Sequence, residues 1–85
     1  MFVHNPDVIA TALEDELVLL NPRNQAMFSL NATGKLVWEH VEHPLEDIAA
    51  KLEERFTVDR DAARRDASAL LARLEGAGLI RAQQD

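Results

Sequence analysis

The chain has 85 residues, 15 acidic side chains against 9 basic ones for a net charge of −6, and no cysteine. That length fits one domain burying about 60–65% of the surface its unfolded form exposes, and the missing cysteines exclude a disulfide framework, a thiolate metal site and a cysteine nucleophile. The acidic balance argues against DNA or RNA, since affinity for phosphate backbones comes mainly from lysine and arginine displacing counterions. Residues 1–44 carry six acids and two bases, residues 45–58 four and two, and residues 59–85 five of each, so no third of the chain is net basic.

Met1-Phe2-Val3-His4-Asn5-Pro6-Asp7 lacks a basic region followed by an apolar run, and no stretch approaches the roughly eighteen apolar residues of a membrane span. A soluble cytoplasmic protein without a membrane partner is expected. The whole chain, 1–85, reads as one domain with loosely ordered ends at 1–7 and 81–85, although Phe2 and Val3 could dock on the body.

Val8 to Leu13 is the first strand candidate, Glu14-Asp15 a turn, and Glu16 to Leu20 a dense apolar run suited to a covered strand. Asn21-Pro22-Arg23-Asn24 is a turn because Pro22 presets φ for the second position of type I and Asn21 suits the first. Gln25 to Leu30 returns as the third strand of an antiparallel meander. At Phe28-Ser29-Leu30-Asn31-Ala32-Thr33-Gly34-Lys35-Leu36-Val37-Trp38 the apolar spacing changes from every second residue to helical. Asn31 is a candidate N-cap, with Thr33 the alternative. Gly34, inside the first helical turn, implies close packing of that backbone against another element.

The hinge helix fades near Val41-Glu42-His43, and Pro44 fits the first position of a second helix whose Glu46 and Asp47 complement its dipole. Leu45, Ile48, Ala49, Leu52 and Phe56 make its apolar stripe. Asp59 caps a third helix buried along Ala63, Ala67, Leu70, Leu71 and Leu74. Gly78 stops it, with Leu79 folding back on Leu74. Ile80 extends briefly. Three strands followed by three helices is an α+β fold.

Catalysis finds no foothold: no nucleophile is flanked by a base in a recognised pattern, and the three glycines form no phosphate loop. His40 and His43, beside Glu39 and Glu42, read as exposed polar residues at a helix end rather than metal ligands, because a tetrahedral site needs four ligands held by a second layer of partners. No cofactor is expected. Trp38 reads as core or a half-buried cover rather than a stacking platform for bases. Arg65 and Arg73, with Ala69 and Ala72 between them, read either as a solvated face balanced by Asp61, Asp66 and Glu75 or as one wall of a groove for an extended peptide.

With these elements placed, the pattern resembles the PqqD family, the small RiPP recognition elements of peptide natural-product pathways. Glu16-Leu17-Val18-Leu19-Leu20 looks like that family's second strand, and Phe28-Ser29-Leu30-Asn31-Ala32-Thr33-Gly34 followed by Trp38 is similar to its most recognisable segment. Leu45 through Leu52 resembles its second helix, and Asp66 with Leu70, Leu71, Leu74 and Gly78-Leu79 its third helix and stop. Phe28 stands where tyrosine is frequent, and Val41-Glu42-His43-Pro44 lacks a glycine often seen there. The resemblance implies a winged-helix-like domain whose third strand and third helix border a groove. There the leader segment of a ribosomally made precursor peptide adds as a strand, and the domain, doing no chemistry itself, delivers it to a separate maturation enzyme, whether radical enzyme, protease or cyclase. Carried onto this chain, the implied peptide-binding residues are Ala26, Met27, Phe28, Ser29, Leu30, Arg65, Asp66, Ala69, Leu70 and Arg73, in a monomer or weak dimer. Two other classes compete: a winged-helix DNA-binding module, against which Glu46, Asp47, Glu53 and Glu54 of the second helix weigh, and a structural dimerisation domain using the same strand edge.

Overall fold

A computed structural model describes residues 1–83. Alternating apolar residues build the sheet. Strand β1 spans Phe2–His4, β2 Ile9–Leu13, β3 Glu16–Asn21 and β4 Ala26–Leu30, and the last three form one antiparallel sheet in the order β2-β3-β4. Leu17, Leu19 and Asn21 of β3 point to the buried face, as does Leu30 of β4, while the intervening residues face outward. The β2–β3 connection is a two-residue turn with Glu14 at φ 44, and the β3–β4 loop closes through the Gln25 N–H on the Asn21 carbonyl at 2.7 Å.

Helix α1 (Ala32–Glu39) starts where the sequence places it, the Asn31 side chain accepting from the Gly34 N–H at 3.0 Å. Gly34 is needed for close approach: a Cβ there would sit 3.2 Å from the Leu30 side chain. Helices α2 (Leu45–Arg55) and α3 (Arg60–Gly76) pack on each other, and Asp59 caps α3 by accepting from the Ala62 N–H at 2.8 Å. α1 bridges the layers, lying against β3 and β4 on one side and α2 and α3 on the other. Gly78, at φ 76, ends α3 in the expected stop, the Leu79 N–H reaching the Leu74 carbonyl at 3.0 Å. One apolar core joins the strands' inner face to all three helices, with Trp38, Leu79 and Ile80 inside it.

Two expectations need correction. Pro44 is the N-cap rather than the first helical residue, because its ψ of 150° is extended. The ends are not loose over 2–4 and 81–82: β1 pairs antiparallel with a fifth strand, β5 (Ile80–Ala82), which begins at the brief extension expected of Ile80, with Phe2 opposite Ala82 and His4 opposite Ile80. Their backbone groups would otherwise lie over the core unsatisfied, and pairing satisfies them. The reading of a loose tail at 84–85 falls outside the described residues.

Candidate peptide-binding groove

The position of each β4 backbone group follows from the hairpin upstream. Leu13 and Glu16 flank a two-residue turn, so they form a hydrogen-bonded pair, and ladder alternation then turns Glu16, Val18 and Leu20 toward β2 and Leu17, Leu19 and Asn21 toward β4. Their β4 partners are Leu30, Phe28 and Ala26. Met27 and Ser29 therefore aim their N–H and C=O groups at the free edge. Among the described residues no strand covers that edge, and no Cα of β4 comes within 8 Å of one in α3.

Between this edge and α3 lies a groove of about 460 Å³. Its floor is apolar, formed by Leu30, Val37, Leu52, Ala63 and Ala67, all buried, with Phe56, Val58 and Leu70 half-buried along the walls. Charge is confined to its borders: Glu16 and Asp66 are acidic, and Arg73 is basic. Ser29 Oγ donates to Glu16 Oε2 at 3.3 Å, and the Arg73 guanidinium stands 5.3 Å from the centre of the Phe28 ring. A cation over an aromatic face is attracted to it, so this contact links α3 to β4 across the opening.

Of the ten residues read as peptide-binding, the groove brings together Ser29, Leu30, Asp66, Leu70 and Arg73. Phe28 adjoins it through Arg73, while Ala26 and Met27 share its strand without lining it. Arg65 and Ala69 lie elsewhere, in an open depression with Arg64, Ser68 and Ala72 on another face of α3. The arithmetic of the helix explains this: eight residues turn about 800°, which leaves Arg65 and Arg73 roughly 80° apart. Sequence reasoning missed Glu16, Phe56 and Val58. A signal existed for the last two, apolar residues where α2 gives way to a loop and a polar side chain would be usual. His40 and His43 sit away from the groove, the His40 Nδ1–H donating to the Leu36 carbonyl at 2.8 Å.

The family model for coenzyme PQQ synthesis protein D, PqqD, matches residues 16–80. The chain belongs to the PqqD family. Two solved structures share its fold closely. One, TbiB1 in complex with the TbiA(beta) leader peptide, is 27% identical with a TM-score of 0.83, over 96% of this chain and 98% of that one. The other, a lasso peptide synthetase B1 complexed with the leader peptide, is 28% identical with a TM-score of 0.83, over 95% and 98%. No curated protein matches the sequence significantly. The PqqD match begins at Glu16 and ends at Ile80, so it takes in β3, β4 and α3, the elements that border the groove.

Proposed function

We propose that the chain binds the leader segment of a ribosomally made precursor peptide as an added strand on the free edge of β4, and that it delivers the precursor to a separate maturation enzyme without doing chemistry itself. The observation that carries this reading is an unpaired strand edge beside an apolar groove. An added strand would pair with Met27 and Ser29, and every second side chain would drop toward Leu30, Val37 and Leu70. Backbone pairing supplies affinity with little dependence on sequence, whereas the groove selects large apolar side chains. Arg73 at one border favours an acidic group on the leader, and Glu16 and Asp66 favour a basic one. The leader peptides bound by the two similar structures support this reading.

Calorimetry with the cognate leader tests it. Leu70→Glu puts a charge where an apolar side chain must lie, and it is expected to weaken binding by about a hundredfold, the equivalent of one hot-spot residue. Ala69→Glu, on the other face of α3, should bind as the parent does. Equal binding by both variants and the parent would move the site away from this groove.

A further inference from the structure

The face of the sheet turned away from the helices has no partner among the described residues. Ile9, Leu20 and Met27 form one cross-strand row on it, with Leu13 and Val18 beside them. Ile9 is 53% exposed, Leu13 52% and Met27 66%. Single exposed hydrophobes are ordinary, but here three of the four large hydrophobics exposed among the described residues gather on one face of an acidic domain, the pattern of a contact surface. Among the described residues no helix lies against β2.

Charge decides between occupants. Glu14, Asp15 and Glu16 stand exposed at one end of this face, and the only cation from residue 9 to residue 30 is Arg23, at the other end. Arg23 is already held by Asp7, Nε to Oδ2 at 2.9 Å. A second copy of the same face would therefore bring apolar surface but no free cation to meet the three carboxylates. A partner with lysine or arginine bordering an apolar patch meets both features. We infer that this face docks the maturation enzyme through such a patch, leaving the β4 edge for the leader. The assignment rests on the leader-binding reading for the identity of the partner.

The test uses the purified maturation enzyme that acts on the cognate precursor, titrated against the intact chain, with leader calorimetry run in parallel. Ile9→Ser combined with Leu13→Ser is expected to weaken capture of the enzyme about tenfold or more and to leave leader affinity unchanged. Glu14→Lys with Asp15→Lys should weaken it too and flatten its salt dependence, since exposed charge pairs are screened within about 10 Å at 0.1 M salt. All four positions are exposed, so circular dichroism should show parental folding. Enzyme capture undiminished in both variants overturns the assignment, as does a parent that binds the leader but not the enzyme. Sedimentation showing a parental dimer that the serine variant dissolves also overturns it, making a second copy the occupant. A parent that captures the enzyme through this face yet ignores the leader overturns the leader-binding reading alone.

Discussion

Asn21 carries more than its place in a turn suggests. It is 3% exposed, and its Nδ2 donates to the Ala77 and Gly78 carbonyls at 3.3 and 3.2 Å, while its Oδ1 accepts from the Arg23 N–H at 3.1 Å. The last carbonyls of a helix have no partner within it, and here asparagines supply them. Asn24 reaches Ala77 at 3.0 Å and Asn5 reaches Gly78 at 2.8 Å. Side chains from the β3–β4 loop thus fix the end of α3 against the sheet, setting one end of the groove. The Gly78 φ of 76° belongs to the same joint, since a Cβ there would come within 2.8 Å of the Asn21 Nδ2. Asn21→Ala is expected to destabilise by about 1–3 kcal/mol, the cost of leaving buried polar groups unsatisfied. Urea denaturation should show a lower midpoint with the same slope, because the surface exposed on unfolding hardly changes.

At the scale of elements, β4 is both a structural strand and a proposed docking edge, and proline separates the two roles. Proline removes an N–H. At Ser29 the lost donor faces the free edge, so Ser29→Pro should fold and lose leader binding; at Phe28 it faces β3, so Phe28→Pro should lose the fold. Circular dichroism and leader calorimetry on the pair check this, and a Ser29→Pro variant that binds normally would place the leader elsewhere. The same elements show what was legible beforehand. Strands β2, β3 and β4 could be read because each is long enough to show alternation, and α1 because Asn31 and Gly34 mark its start chemically. β1 and β5 could not be read, each being only three residues long with a partner at the opposite end of the sequence. On α3, the resemblance pointed to Asp66, Leu70 and Arg73, and these line the groove. Arg65 and Ala69 line a different depression, because a shared charge and a small residue do not fix a helix face. Phe56 was read as the end of the α2 stripe, but it is the extended C-cap of that helix and turns into the groove, while Val58 in the following loop belongs to no period.

At the scale of the whole molecule, the first and last strands join the two ends of the chain, and β5 packs on α3. The Phe2 N–H donates to the Val41 carbonyl at 3.1 Å and the Asn5 N–H to the Leu79 carbonyl at 3.0 Å. The His4 Nε2–H donates to the Trp38 carbonyl at 2.6 Å, its ring 4.1 Å from the indole. β1 is the only strand paired with β5 among the described residues, and Ile80 of β5 is 2% exposed. Two arginines at the start of α3 are paired with α2, Arg60 held by Glu53 at 3.0 Å and Arg64 by Glu46 at 2.8 Å, which ties the two helices together at that end. Deleting residues 1–5 would uncover Trp38 and Ile80 and strip the Val41 and Leu79 carbonyls of their donors. At about 1 kcal/mol for each lost hydrogen bond, the deletion should cost at least about 2 kcal/mol. For a domain of this size that lowers Tm by roughly 8–16 °C. Below the new Tm, leader affinity should match the parent's, because none of the deleted residues lines the groove. An unchanged Tm would mean that the terminal strands do not hold the core together, and lost leader binding by a folded truncation would extend the docking site to β1.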